Sequence, residues 1–389
     1  MKLKRLPEDF LVEELTNLEP TGGDYALYRM TKTSLGTPEA VDRIVSQLKI
    51  QRHRISYGGL KDKHARTTQY VTIRFGAQRD SRLEQIDLRY LGQVDCAFTP
   101  QHIEGNRFQL MIRDLSPEGV ERAEKALAEV AKWGVPNYFD DQRFGSLGES
   151  GEFVGRAWCL GDFERALWLA LAEPHAEDRR DDREQKAVLR KHWGQWPACK
   201  QALERSHRRS IVTYLADKPP DRPDYRGAFA RIRVDLRGLY LSALQSHLWN
   251  QLLAGVVAEI APPSERIEIG LRPGPVPFFR QPDPAGFEAW REATLPLPSA
   301  RLHLEPGPLL ERIEAVVTQH GLPLRELRVK YPRDSFFSKG DRSVLLWPRN
   351  LSHAPGADPM YPGRRLLGMS FVLPRGAYAT MLVKRITEC

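Results

Sequence analysis

Apolar and polar residues alternate strictly from Thr68 to Phe75, with Gln69, Val71, Ile73 and Phe75 on one side and Thr68, Tyr70, Thr72 and Arg74 on the other. That is the pattern of a half-buried strand. Phe108, Leu110 and Ile112 repeat it against Arg107, Gln109, Met111 and Arg113. Two further strands, Phe10 to Glu14 and Asp24 to Met30, flank a turn at Pro20-Thr-Gly-Gly23 and carry the aromatic and β-branched residues that strands favour. Helical spacing is as plain elsewhere. Val41, Ile44, Val45 and Leu48 predict a helix from about Pro38 to Lys49, with Thr37 as N-cap and Pro38 in its first position. Ser116-Pro117 opens another, in which Val120, Ala123, Leu127 and Val130 share a face. Phe163 to Leu171 forms a third, and the stripe Leu241, Leu244, Leu248, Leu252, Val256 reads as the core face of a helix from Leu239 to Ile260.

Strand and helix signals alternate through the first 150 residues and return at the end, where Leu367 to Leu373 reads as a strand, Pro374-Arg-Gly376 as a turn and Tyr378 to Ile386 as a helix. Between them the texture differs. Residues 179–209 are densely charged around Trp193 and Trp196, as an RNA-facing surface or a solvated helical hairpin would be. Prolines and glycines cut Pro262 to Pro308 into short strands. A catalytic domain built from both termini around an insertion accounts for the return. The stretch Gly134 to Gly145 mixes aromatics, amides and an arginine, which suits recognition of an unpaired nucleotide. For any one of Tyr138, Phe139 and Phe144, filling the core is the better-supported reading.

Composition narrows the class. With 389 residues, 41% apolar and 28% charged, the chain suits a folded protein of two domains. A formal charge of +8 points to an anionic partner, nucleic acid or an anionic membrane. No apolar run approaches the ~18 residues of a membrane span, and Met1-Lys-Leu-Lys-Arg-Leu-Pro7 has no signal-peptide core. Cys96, Cys159, Cys199 and Cys389 form no C-x-x-C pair, so a reduced, cytoplasmic protein is expected. The scattered histidines lack metal-ligand spacing, and neither a Walker A loop nor a G-x-S-x-G elbow is present, so neither metal nor cofactor is expected.

One stretch concentrates candidate chemistry. From Gln51 to Arg79 the basic residues are Arg52, Arg54, Lys61, Lys63, Arg66, Arg74 and Arg79, and the only acid is Asp62. Positive charge nearby favours an ionised carboxylate, suited to a nucleophile or general base. Asp62 could equally cap a turn after Gly58-Gly59, and composition alone favours that reading. His64 is read as a positioning or structural residue.

Several of these segments together resemble the TruD family of tRNA pseudouridine synthases. Gly59-Leu-Lys-Asp-Lys-His-Ala-Arg-Thr-Thr-Gln69 is similar to the family's G-x-K-D-[KR]-x-A-x-T-x-Q segment, and Pro136-Asn-Tyr-Phe-Asp-Asp-Gln-Arg-Phe-Gly145 to its P-N-Y-F-G-x-Q-R-F-G. Leu6-Pro-Glu-Asp-Phe10 with Val12-Glu13-Glu14, Gly105-Asn106-Arg107-Phe108 and Leu373-Pro-Arg-Gly-Ala-Tyr-Ala-Thr380 follow further family segments in order. Asp140 departs from a usual Gly, Arg66 from a frequent Val and Tyr378 from a bacterial Phe.

The resemblance implies an α+β pseudouridine-synthase catalytic fold, a mixed and largely antiparallel sheet with flanking helices, over residues 1–150 and 346–389. An α/β TRUD insertion domain would occupy 151–345. It implies isomerisation of uridine to pseudouridine in tRNA, at uridine 13, by a monomer that needs no cofactor, metal or membrane. Asp62 would be catalytic. Phe10, Asn137, Phe139 and Tyr378 would line a pocket for a flipped base, because chemistry on a stacked base requires extruding it. Asn137 would read the uracil edge, Lys61 would keep Asp62 ionised or contact a phosphate, and Arg143 would bind substrate or fix its loop by an ion pair. The alternatives are an RNA-binding protein or chaperone on the same fold, or a synthase acting on another RNA. A pure binder, however, has no need of a carboxylate among phosphates.

Overall fold

The computed structural model describes residues 1–388 and divides into two compact units, Met1–Val135 with the chain from Leu346 onward, and Pro136–Leu345.

The first unit is built on nine strands: β1 (Phe10–Thr16), β2 (Tyr25–Thr33), β3 (Ile55–Tyr57), β4 (Arg66–Arg74), β5 (Ser81–Leu83), β6 (Ile86–Val94), β7 (Ile103–Leu115), β8 (Arg349–Ala357) and β9 (Arg365–Pro374). They run in the order β8-β9-β7-β1-β4-β2-β6-β5, with β3 added beside β4. Every pairing is antiparallel except β1 with β4, so the sheet is mixed and the unit α+β. The expected strands are all present, some longer than their apolar cores. Phe75 is the exception. It turns out of the sheet at φ 51° and is 61% exposed, so the alternating face ends at Ile73.

Three helices accompany the sheet: α1 (Thr37–Gln47), α2 (Pro117–Trp133) and α3 (Ala379–Thr387). Ser116 caps α2, its Oγ accepting the Gly119 N–H at 3.0 Å, and Val120, Ala123, Leu127 and Val130 are buried. Helix α1 starts one residue earlier than its sequence signals suggest. Gly36 is the cap and Thr37 the first helical residue, which frees the Thr37 hydroxyl for a longer-range task.

The second unit is mainly helical, with short two-stranded pairings such as Arg266–Ile269 with Val276–Phe279. Its long helix Val234–Ile260 buries Leu241, Leu244, Leu248, Leu252 and Val256, as the stripe predicted. The charged 179–209 stretch contains the helices Arg180–Lys191 and Trp196–Ala202, whose Leu189 and Trp196 are buried while Arg180 pairs with Glu184. The unit begins at Pro136, and the aromatics that follow are among its core residues. Tyr138 packs on Phe278, Phe139 meets Trp249 edge-on and Phe144 meets Phe153.

Candidate active site

Asp62 lies in the segment that joins β3 to β4, and that segment is held by its main chain. Gly58 passes so close to Ile103 and Phe98 that a Cβ would stand 2.6 Å from one side chain and 2.8 Å from the other, so only glycine fits. Buried Gln69, on β4, donates from Nε2 to the Gly59 carbonyl at 3.2 Å. Its Oε1 accepts the Thr37 hydroxyl at 2.8 Å, and Thr37 Oγ1 in turn accepts the Lys61 N–H at 2.9 Å. A third grip comes from Lys32 on β2. Its Nζ donates to the carbonyls of Leu35 (2.6 Å), Asp62 (3.1 Å) and Lys61 (3.4 Å). Groups this deeply buried must be hydrogen-bonded to be tolerated, and these satisfy one another.

The Asp62 side chain leaves this anchored backbone half-buried. Oδ1 accepts the His64 N–H at 2.9 Å, a local turn of the kind Asp favours, and Oδ2 takes an ion pair from Lys4. Burial pushes the carboxyl pKa up, but the Lys4 hydrogen bond and charge, with the His64 N–H and imidazole, outweigh it and hold Asp62 below its ordinary value. The turn and the ionised carboxylate are thus the same feature. Lys4 Nζ also sits 4.2 Å from the Phe10 ring centroid, and Phe10 is buried edge-on to Phe108.

The lysines beside Asp62 in sequence turn away from it. Lys61 Nζ pairs with the fully buried Glu14 at 2.7 Å and donates to Asn106 Oδ1 at 2.8 Å, while Lys63 pairs with Glu39 at 3.0 Å. The role expected of Lys61, holding the carboxylate ionised, therefore falls to Lys4. Lys61 braces the loop against β1 and β7 instead, and Glu14 completes the brace by accepting the Tyr70 N–H at 3.0 Å.

The other expected site residues are distributed over both units. Tyr378, half-buried, is the N-cap residue of α3 in the first unit. Asn137, Phe139 and Arg143 belong to the second, where the amide of Asn137 is engaged internally. Its Nδ2 donates to the Ser343 carbonyl at 3.0 Å and its Oδ1 accepts from Arg342 at 2.6 Å. Phe139 is buried, its ring covered by Arg342 at 4.1 Å and Arg143 at 5.5 Å, and its backbone is clasped by Asn250 through N–H and carbonyl alike.

Lys4, Glu14, Lys32, Thr37 and Asn106 were not assigned any part in the site by sequence reasoning. A signal for three of them exists. Glu14, Lys32 and Asn106 each extend an otherwise apolar face of a strand with a polar group: Phe10-Val12-Glu14, Tyr28-Met30-Lys32 and Asn106-Phe108-Leu110. Gln69, before Val71 and Ile73, does the same. Polar ends on buried faces of neighbouring strands mark a site that the sheet assembles.

Comparison with known proteins agrees with this architecture. Residues 1–268 match the family model described as tRNA pseudouridine synthase D (TruD). The chain is 28% identical to "Probable tRNA pseudouridine synthase D 2" of Methanocaldococcus jannaschii, over 99% of this chain and 91% of that one. To tRNA pseudouridine synthase D of Leptospira interrogans it is 27% identical, over 99% and 95%. A Methanosarcina mazei protein whose crystal structure is described under the TruD name superposes with a TM-score of 0.72 at 26% identity, over 100% of this chain and 93% of that one. With the family model spanning well over half of its length, this chain belongs to the TruD family of tRNA pseudouridine synthases.

Proposed function

We propose that this enzyme converts uridine 13 of tRNA to pseudouridine and that Asp62 is its catalytic carboxylate. The observation that carries the assignment is the state of Asp62: a half-buried carboxylate, kept ionised by Lys4, at the tip of a loop whose backbone is fixed from three sides. Pseudouridylation breaks the N1–C1′ bond, turns the uracil and rejoins it to the ribose through C5, with no change in composition. An ionised carboxylate serves either as the nucleophile on the ribose or as the base that removes a proton, and a protonated carboxyl serves as neither.

The surroundings suit a polyanion. Asp62 is the only acid between Gln51 and Arg79, and the chain carries a net +8. Tyr378, on the same unit, offers an aromatic surface for an extruded base.

The test is Asp62→Asn with a tRNA transcript. The variant should bind tRNA within a few-fold of wild type and form no pseudouridine. Turnover by the variant would remove Asp62 from the mechanism. Persistence of pseudouridine 13 in tRNA from a strain lacking this protein would reassign the target.

A further inference from the structure

Lys32 is fully buried at the penultimate position of β2, and its ammonium has no carboxylate partner within hydrogen-bonding distance. What it has is three acceptors, all main-chain carbonyls, of which two belong to Lys61 and Asp62. The remaining carbonyl, of Leu35, lies in the connection from β2 to α1. We propose that Lys32 is a positioning residue for catalysis: its ammonium fixes the main chain from which Asp62 projects and places a second positive charge behind the carboxylate.

The argument is one of valence. An ammonium has three N–H donors and no lone pair, which matches three carbonyl oxygens. A neutral amine has two donors and one lone pair, so on deprotonation one carbonyl would lose its donor and face that lone pair instead. The cage therefore fits only the charged form. Burial works against that form and pushes the Lys32 pKa down to about 8; Asp62 and Glu39 counter it, and Lys61 adds to it. The charged groups around Lys32 are already committed. From the loop, Asp62 is paired with Lys4 and Lys61 with Glu14, and from α1, Glu39 is paired with Lys63. The residues opposite Lys32 on β4 and β6 are Thr67 and Ile86, which carry no charge. Loss of the Lys32 proton thus has no neighbouring charge to replace it, and the Asp62 backbone loosens as pH rises past about 8.

This role rests on Asp62 being the catalytic carboxylate, and the experiment separates the two ideas. Lys32→Met, Lys32→Arg and Asp62→Asn are compared with wild type for single-turnover rate, tRNA affinity and pH profile. Lys32→Met should lose on the order of 10² in rate with affinity within threefold, since a displacement of about 1 Å at a reacting group costs that much. The wild-type rate should fall above about pH 8. Lys32→Arg, whose charge does not titrate in this range, should recover at least tenfold over Lys32→Met and lack the alkaline fall. A Lys32→Met rate within threefold of wild type overturns the proposal, as does a wild-type profile flat to pH 9. If Lys32→Met does not fold, Lys32→Arg decides: the same alkaline fall in that variant overturns the proposal. An active Asp62→Asn removes the underlying assignment instead.

Discussion

Lys4 reaches the carboxylate of Asp62 across 58 positions of sequence, and it does so while its ammonium lies over the Phe10 ring. The N-terminal segment is thus part of the electrostatic setting of the site. Without Lys4, burial would be the dominant influence on Asp62 and would raise its pKa.

Lys4→Met should therefore move the acid limb of the rate profile to higher pH. The defect should be larger at pH 5 than at pH 8, because more of the carboxyl is protonated there. Measuring rate against pH for both proteins checks this, and a uniform defect at every pH would mean that Lys4 acts through binding alone. In wild type the depressed pKa of Asp62 also stabilises the fold above the unfolded value of 3.8, a contribution lost as pH falls through the folded value.

Thr37 carries two hydrogen bonds of the loop anchor on one hydroxyl. Thr37→Val keeps the shape but strands the Lys61 N–H and the Gln69 Oε1, and a buried polar group left without a partner costs about 1–3 kcal/mol. Amide hydrogen exchange at Lys61 should accelerate by about tenfold or more, as such a cost implies when exchange follows local opening. The catalytic rate should drop with little change in tRNA affinity. Unchanged exchange would show that Gln69 and Lys32 suffice to hold the loop.

Stability and activity should respond to alkaline pH in opposite directions. Below pH 8 both the folded and unfolded forms of Lys32 are charged, and above it the folded form releases its proton while the unfolded one retains it up to about 10.5. The unfolded chain then binds more protons, so stability rises with pH, by about 1 kcal/mol from pH 8 to 9 at the slope a single group allows. Over the same range the buried thiols of Cys159 and Cys199, pushed up from 9.0 to about 12 and about 11, work the other way and offset much of the gain, so the Lys32 contribution is read as a difference between proteins. Unfolding free energies from denaturant titrations at pH 8 and 9 should therefore change more favourably in wild type than in Lys32→Met, by about 1 kcal/mol.

Much of the frame was legible from periodicity. Strands with alternating faces and helices with a single apolar stripe appear where the pattern places them, because burial on one face is the force that fixes both. What periodicity could not reveal was which charges meet. Lys61 and Lys63 flank Asp62 in sequence, yet successive residues of a loop point apart, and the partner came from the chain terminus instead. Thr37 was read as a helix cap because Thr before Pro usually is one; its hydroxyl was claimed by Gln69, a residue 32 positions away. The aromatics after Gly134 illustrate the opposite case, since Tyr138, Phe139 and Phe144 went to the core as ordinary hydrophobic burial requires.

The grip of Lys32 on carbonyl oxygens carries a consequence for how this loop can evolve. Main-chain oxygens are the one set of acceptors that substitution cannot remove. The side chains of Lys63 and His64, both exposed, can therefore drift without disturbing the hold that Lys32 has on Lys61 and Asp62. Substitution of these loop side chains and an unmoved aspartate are compatible because the anchor reads the backbone and ignores the sequence.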